Sequence, residues 1–322
     1  MTGADADPDS LGSLDALDLP ESFLRHNRAD PAWLRGLPDL LSRLAARWGL
    51  TLGAHLQELS YNYVAPAVRA DGARCVLKVG RHHDGELRTE TEALRLWDGQ
   101  GAVRLLAADP GSGAMLLERL DPGTMLVEVA ERDDDQATRI AAGVLGQLWR
   151  PAPAGHALRS LRSWFGCFDR HGEALRRGEG GFPAARFERA AALLEELVAT
   201  TAQDIILHGD HHHYNILTSQ RPGEPQPQWR VIDPKGLAGD PCFDICQFLF
   251  NCSPPTTHRA GEPFGVVARR IDIFVHELGL DRRRATQWCF LWAMLQACWD
   301  FEDGDPAGWS ANLARAGFFL TL

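Results

Sequence analysis

The stretch "LHGDHHHYNIL", Leu207–Leu217, decides how the rest of the chain is interpreted. Three consecutive histidines behind an aspartate suggest a metal site. The same letters also contain H-G-D-x-x-x-x-N, in which Asp210 and Asn215 lie five positions apart. Three neighbouring loop residues converge poorly on one tetrahedral zinc ion, and no second Cys/His cluster at a fitting spacing supplies further ligands. The aspartate and asparagine are therefore the stronger lead.

A second polar group follows the same pattern about twenty residues later. Asp210 comes just after "DIILHG", where a short apolar strand breaks into a loop. In "WRVIDPKG", a strand ends in the same way at Asp233 and is broken by Pro234 and Gly236. Two aspartates and an asparagine form an oxygen-only ligand set, which suits Mg²⁺ and substrate phosphates. Phosphoryl transfer requires such a set, with one acid left to orient the attacking hydroxyl.

Phosphoryl transfer also requires a cation for the phosphates, and Lys78 is the candidate. It lies in the predicted strand "CVLKV" and is one of very few lysines in an arginine-rich chain. A buried lysine needs an anionic partner, and the following helix offers Glu86, Glu90 and Glu92. We favour Glu90, because it precedes the apolar residues at 93, 94 and 97 by helical spacings and so faces inward.

The hydrophobic patterns predict an α+β chain with two lobes. Residues 1–20 are expected to be a disordered extension, 21–118 an N-terminal nucleotide-binding lobe, and 119–322 a C-terminal catalytic and acceptor-binding lobe. The first lobe should contain a helix, an antiparallel sheet and a second helix at about 85–98. Its strands are predicted at 52–60, 63–70, 74–80, 102–109 and 113–120. In the second lobe, helices are predicted at about 133–149, 159–177, 184–200, 241–252, 265–279, 281–302 and 306–320, with a β-rich segment at 205–234.

Composition narrows the classes of partner. The formal charge of −10 argues against nucleic acid and suits a cationic small molecule. No uncharged apolar run reaches the roughly 18 residues of a membrane span. Seven cysteines without disulfide-framework spacing, and an N-terminus without a signal peptide, predict a cytoplasmic protein that has no membrane partner.

Taken together, these segments resemble the aminoglycoside phosphotransferase family, which is related to protein kinases. "HGDHHHYN" matches the family's H-G-D-x-x-x-x-N loop, and "VIDPKG" matches its metal-binding segment. "LRLWDGQGAVRLL", "MLLERL" and "VIDPKGLAGDPCFDICQFL" are similar to the branch of streptomycin 6-phosphotransferases and hydroxyurea kinases. The resemblance covers about residues 50–305 and implies a two-lobed protein-kinase-like fold.

The resemblance also implies roles for individual residues. Asp210 would be the catalytic base, while Asn215 and Asp233 would hold Mg²⁺. ATP would be bound by Lys78, Glu90, Ser60, Asn62, Glu118 and Leu120. His208, Asp240 and Asp244 would support the catalytic loop. The acidic segment "CWDFEDGDP" supplies Trp299, Asp300 and Glu302 as contacts for a cationic aminoglycoside.

Alternatives remain open at this point. The acceptor could be streptomycin, phosphorylated at its 6-hydroxyl, or another small molecule such as hydroxyurea or a metabolite. A non-catalytic binding protein on a kinase scaffold would be expected to lack one of Lys78, Asp210, Asn215 or Asp233, and all four are present. The preference for ATP over GTP and the oligomeric state do not follow from the sequence.

Overall fold

In the computed structural model, an antiparallel sheet organises the N-terminal part of the chain. The structure describes residues 17–57, 59–81, 85–251 and 264–322. The sheet has the order β1-β2-β3-β5-β4. Its strands are β1 (Leu50–Leu52), β2 (Tyr63–Arg69), β3 (Arg74–Val79), β4 (Leu105–Asp109) and β5 (Ala114–Glu118). Helix α3 (Glu86–Trp97) follows β3.

Two helices precede the sheet and cover its core. These are α1 (Glu21–Asn27) and α2 (Pro31–Trp48). Asp30 caps α2 by accepting a hydrogen bond from the Trp33 amide at 3.0 Å, and Pro31 occupies the first turn, where its missing amide costs nothing. Leu37 and Leu41 are fully buried against sheet residues such as Leu77. Leu17 belongs to the same core, whereas residues 1–16 of the predicted extension lie outside the described residues.

The remainder of the chain is mostly helical. Its helices are α4 (Val127–Ala130), α5 (Asp134–Leu148), α6 (Leu161–Trp164), α7 (Gly166–Arg176), α8 (Ala184–Ala199), α9 (Cys246–Phe250), α10 (Gly265–Leu278), α11 (Arg282–Glu302) and α12 (Pro306–Phe319). α11 is buried on nearly all sides, since α7, α8, α10 and α12 all pack against it. The predicted α+β class is confirmed.

Two small sheets interrupt these helices. One contains β6 (Pro122–Met125), β9 (Ile216–Ser219) and β10 (Gln228–Val231) in the order β10-β9-β6. The other contains β7 (Arg159–Ser160), β8 (Ile205–Leu207) and β11 (Leu237–Gly239) in the order β7-β11-β8. The segment between β8 and β9 is the one quoted at the outset, so both of its ends are held by paired strands.

The chain divides into two compact units. The first comprises the described residues up to Thr91 together with Val103–Arg119, and the second comprises Glu92–Ala102 and Leu120–Leu322. No helix among the described residues is long and apolar enough to cross a membrane. The six cysteines within the described ranges are buried free thiols.

Three sequence-based boundaries were wrong. The helix predicted at about 241–252 is divided into a 3₁₀ turn (Pro241–Phe243) and α9 (Cys246–Phe250). The strand predicted over 52–60 overlaps β1 only at Leu52. Among the described residues that follow, isolated bonds such as Leu56 N–H to Val64 O (2.9 Å) replace a ladder. The single helix predicted over 159–177 is divided at Phe165, whose ψ of 19° is not helical. The Phe165 ring instead packs on the rings of Phe168 and Trp288.

A buried ion pair joins α5 to α10 in the second unit. Arg270 is fully buried and contacts both carboxylate oxygens of Asp134, the nearer at 2.5 Å. The same guanidinium donates to the carbonyls of Phe248, Leu249 and Asn251 at 2.8–3.2 Å. A guanidinium presents five donors in a fixed fork, so one side chain satisfies the open C-terminal end of α9 as well as the carboxylate.

Candidate active site

The loop between β8 and β9 brings Asp210 and Asn215 together. The Asn215 amide nitrogen donates to the Asp210 carbonyl at 3.0 Å, and the Asn215 backbone N–H donates to the His212 carbonyl at 2.9 Å. These bonds close the loop on itself and fix which end of the Asn215 amide is the donor. The Asn215 oxygen is thereby left as the acceptor end of that side chain. The Asp210 carboxylate is partly exposed.

Gly209 permits this loop to form. Its φ of +77° lies in the left-handed region, which side chains disfavour. A Cβ at this position would lie 2.7 Å from Leu237 Cδ1 and 3.1 Å from Lys235 Cβ. The neighbouring strand therefore approaches the loop closely enough to exclude any larger residue.

Asp233 lies next to Asn215. The N–H of Ile232, which precedes it, donates to the Asn215 carbonyl at 3.0 Å, extending the pairing of β10 with β9. Asp233 itself adopts a φ of +58° and is exposed. A non-glycine residue in this conformation is uncommon and is associated with functional sites. The three oxygen-bearing residues predicted from the sequence thus meet at adjacent strand ends.

Asp244 supports the backbone of the loop between β8 and β9, which the sequence predicts to be the catalytic loop. One carboxylate oxygen accepts the N–H of His208 at 2.9 Å, and the other accepts that of Gly209 at 2.7 Å. The Trp149 indole N–H adds a third bond at 3.1 Å. Burial raises the pKa of Asp244 to about 6, although the three donors favour the charged form. Asp240 caps the turn that leads to Asp244 by accepting the Cys242 N–H, and it also pairs with Arg284.

The histidines of the loop serve packing rather than metal binding. His208 is fully buried; its Nδ1 accepts the Asp210 N–H at 3.2 Å, so its Nε2 carries the proton that is donated to the Ile232 carbonyl at 2.9 Å. His211 Nε2 contacts the Ala141 carbonyl in α5 at 3.2 Å. The ring of His213 stacks on that of Phe248 with centroids 3.8 Å apart.

Burial keeps these histidines neutral. It lowers the pKa of His208 to about 3 and that of His213 to about 2, and it lowers the pKa of His211 well below its usual value. Within the described part of the chain, no group of three or more histidine, cysteine and acidic side chains is arranged to hold a metal ion.

In the first unit, Lys78 pairs with Glu90. The ammonium lies 2.8 Å from both carboxylate oxygens, and both side chains are buried. β3 directs Lys78 and α3 directs Glu90 into the same interior. Of the competing acids, Glu86 is exposed, while Glu92 accepts the Ala157 N–H at 3.5 Å.

The other residues predicted to bind ATP are distributed between the units. The Ser60 side chain is exposed, and its carbonyl accepts from Asn27 at 3.4 Å. Asn62 packs so closely over Gly80 that a Cβ there would lie 2.2 Å from its oxygen, a separation no side chain tolerates. In the first unit the Glu118 carboxylate accepts the Arg104 N–H at 2.9 Å, and in the second unit Leu120 is buried. Their roles in binding ATP stay predictions.

The predicted acceptor residues cluster near the C-terminal end of α11. Glu302 is paired with Arg170 at 2.8 Å and with His171 at 3.2 Å. Asp300 accepts from Asn312 at 2.7 Å, and burial raises the pKa of its carboxyl. The Trp299 ring meets that of Trp164 edge-on at 5.5 Å. These contacts are made with α6, α7 and α12, so an acceptor role for the three residues also stays a prediction.

Sequence reasoning missed two residues that the structure brings to the catalytic loop. The ring of His212, which was not among the predicted site residues, lies with Nε2 3.6 Å from an Asp210 carboxylate oxygen. Lys235 donates its backbone N–H to the His208 carbonyl at 2.7 Å. The composition could have indicated Lys235, because only two lysines occur in the chain, at positions 78 and 235.

The chain is also similar to known proteins over most of its length. Residues 47–304 match the family model described as aminoglycoside/hydroxyurea antibiotic resistance kinase. A streptomycin 6-kinase from Streptomyces glaucescens is 38% identical over 88% of this chain and 90% of its own length. A hydroxyurea phosphotransferase from Kitasatospora aureofaciens is 39% identical over 90% of this chain and 81% of its own.

A solved structure extends the comparison to the fold. A choline kinase from Streptococcus pneumoniae aligns with a TM-score of 0.59 at 15% identity, covering 88% of this chain and 98% of its own. At that level of identity the likeness concerns the fold alone. The predicted protein-kinase-like fold is confirmed.

Proposed function

The chain belongs to the aminoglycoside/hydroxyurea antibiotic resistance kinase family, and from that membership we propose that it uses ATP and Mg²⁺ to phosphorylate a hydroxyl of an aminoglycoside. Streptomycin, modified at its 6-hydroxyl, is the first candidate acceptor, with loss of antibiotic activity as the consequence. The observation that carries the proposal is the junction of Asp210, Asn215 and Asp233 at adjacent strand ends.

The Asp210 carboxylate is suited to act as the base. In the reaction, the acceptor oxygen bonds to the γ-phosphorus of ATP as the bond to the β–γ bridging oxygen breaks, which leaves ADP. The proton of the hydroxyl passes to Asp210. The carboxylate is partly exposed while its backbone is fixed by Asn215 and His208, so it can meet a substrate without losing its orientation.

The residues present fit a magnesium ion. Mg²⁺ prefers oxygen ligands and takes few from the protein, and Asn215 and Asp233 offer one amide oxygen and one exposed carboxylate. When bound, the ion would neutralise charge on the ATP phosphates. The Asn215 nitrogen is already committed to the Asp210 carbonyl, which leaves the oxygen for such a role.

The first unit supplies a separate part of the reaction. Lys78 is suited to contact ATP phosphates, and its ion pair with Glu90 holds the ammonium in place. We retain Ser60, Asn62, Glu118 and Leu120 as further nucleotide contacts.

For the acceptor, we propose that a cationic molecule is recognised by acids near the end of α11. Asp300 is the better placed of the two carboxylates, because Arg170 and His171 already compensate the charge of Glu302. Trp299 offers an aromatic face that can attract a cation.

A panel of acceptors separates streptomycin from hydroxyurea, the acceptor in the name of one relative. ADP release would be followed with streptomycin, hydroxyurea, a deoxystreptamine aminoglycoside and no acceptor. We expect streptomycin to give the highest kcat/KM. A higher kcat/KM for hydroxyurea would instead establish the second function, and no release above background with any of them would contradict both.

A further inference from the structure

The chain uses lysine only where the candidate chemistry is concentrated. Of its 33 lysines and arginines, all but Lys78 and Lys235 are arginine. Lysine and arginine are not interchangeable, because lysine presents a compact, mobile ammonium whereas arginine presents a planar fork. Lys78 has a role in the proposed function. The presence of the other lysine two residues after Asp233 raises the question of what an ammonium does there.

The backbone of Lys235 is held directly against the catalytic loop. Its N–H donates to the His208 carbonyl at 2.7 Å. The Lys235 Cβ would lie 3.1 Å from a Cβ added at Gly209. The side chain itself is partly exposed, so the ammonium can reach a ligand beside the loop.

The charge of Lys235 affects the His212 ring, and so do the carboxylates of Asp210 and Asp233. Burial lowers the pKa of His212, Asp210 and Asp233 act to raise it, and Lys235 lowers it further. Lys235 also lowers the pKa of the buried His208. The backbone contact with His208 and the position two residues after Asp233 place Lys235 beside the loop where a phosphoryl group would be transferred.

A polyphosphate would approach two negative carboxylates at this place. Mg²⁺ can offset part of that repulsion, but the transferring group carries charge on three outer oxygens as its bond to ADP breaks. A fixed cation beside the base would stabilise this charge where it develops. Because the four-carbon stem is flexible, the ammonium can follow the phosphoryl group as it moves toward the acceptor.

We propose that Lys235 is a further catalytic residue, whose ammonium binds the γ-phosphoryl group of ATP and stabilises it during transfer to the acceptor oxygen. This rests on the proposed kinase function. Lys235 forms no covalent bond in the step, and the proton still passes from the acceptor hydroxyl to Asp210.

The test compares nucleotides that differ in the γ-phosphate. Affinities for ADP and for the non-hydrolysable analogue AMP-PNP would be measured by calorimetry with Mg²⁺, for wild type, Lys235→Met, Lys235→Gln and Lys235→Arg. For the Met and Gln variants we expect the AMP-PNP affinity to fall about tenfold or more, with the ADP affinity within about twofold of wild type. With an acceptor that wild type phosphorylates, kcat should fall about 10²-fold and be partly restored in Lys235→Arg.

The matched control is Arg283→Met, which removes a positive charge from an exposed position on α11. It should leave both affinities and kcat unchanged. Equal weakening of ADP and AMP-PNP, or unchanged kcat in Lys235→Met and Lys235→Gln, would overturn the proposal and leave Lys235 a structural counter-ion. Failure of the kinase proposal is recognised separately, because wild type would then bind nucleotide and phosphorylate no acceptor in the panel.

Discussion

At the residue scale, each charged side chain of the site depends on a partner that orients it or compensates its charge. Asp210 has its orientation from Asn215 and His208, and Lys78 is buried only because Glu90 is buried with it. Removing one partner from such a pair leaves the other as an uncompensated charge in the interior. Stability and activity should therefore fall together at these positions.

Lys78→Met tests this coupling. The substitution leaves the Glu90 carboxylate buried without its ammonium, so we expect unfolding in urea to require about 3–5 kcal/mol less free energy. The kcat/KM for ATP should also fall strongly. Glu86→Gln, on the exposed side of the same helix, is the control and should stay within about 0.5 kcal/mol of wild type. A stable, active Lys78→Met protein would show that the ion pair serves neither purpose.

The residue scale is also where sequence reasoning succeeded and failed most clearly. The helical period pointed to Glu90 as the inward acid, and the structure pairs it with Lys78. No local pattern could show that Glu302 is held by Arg170, because the two lie 132 positions apart and meet only through the packing of α7 on α11. His212 was missed for a similar reason. Three consecutive histidines cannot be distinguished in the sequence, whereas in the structure His211 and His213 are buried and His212 is partly exposed.

At the scale of elements, the catalytic loop is held from both sides. His211 reaches α5, His213 stacks on Phe248 of α9, and Arg270 binds the carbonyl of that same phenylalanine. Both ring nitrogens of His213 are buried without a hydrogen-bond partner among the described residues. The three-histidine run thus packs the loop onto the helices while Asp210 stays accessible.

This packing predicts a loss of stability in mild acid. The folded-state pKa values of His208 and His213, about 3 and about 2, lie far below the unfolded value of about 6.5. Above that value their contribution to stability is fully present. As the pH falls below it, only the unfolded chain takes up protons, and each histidine lowers the free energy of unfolding by about 1.4 kcal/mol per pH unit.

Asp244 acts in the opposite direction. Its folded-state pKa of about 6 is raised, so below that pH the folded state binds a proton first and part of the loss is offset. Urea unfolding between pH 8 and 5 should therefore show a plateau and then a decline. His213→Phe keeps an aromatic ring on Phe248 and removes one titrating group. The slope of the free energy of unfolding against pH should therefore decrease by about 1.4 kcal/mol per pH unit. His276→Gln, at an exposed position, should leave the slope unchanged. An unchanged slope in His213→Phe would contradict a buried, neutral histidine.

Element boundaries were predictable only where caps or periods marked them. The sequence Asp30-Pro31 has the pattern of a helix start, and the structure shows Asp30 capping the Trp33 amide there. The break at Phe165 carried no local signal, because "LRSWFGCFDR" is compatible with one continuous helix. Tertiary ring contacts and the pairing of β7 with β11 decide it instead.

For the whole molecule, the sequence predicted the order of the sheet and the helices, but it did not predict the shape of an acceptor site. A sheet, a helix and a helical half follow from hydrophobic periods, and the strand-end aspartates follow from the breaks at Gly209 and Pro234. The residues predicted to bind the acceptor contact three other helices, and no single segment of the sequence encodes that packing. The net charge of −10 suits a cationic acceptor without selecting one.

We propose that this chain phosphorylates streptomycin and that Asp210 is the base. Mass spectrometry would identify phosphorylated streptomycin and follow its rate of formation with wild type, Asp210→Asn and the control Asp204→Asn, which changes the exposed residue just before β8. We expect wild type and Asp204→Asn to convert streptomycin with one ADP per product, and Asp210→Asn to be slower by about 10²–10⁴-fold. Absence of the product with wild type, or an Asp210→Asn rate within tenfold of wild type, would contradict the account.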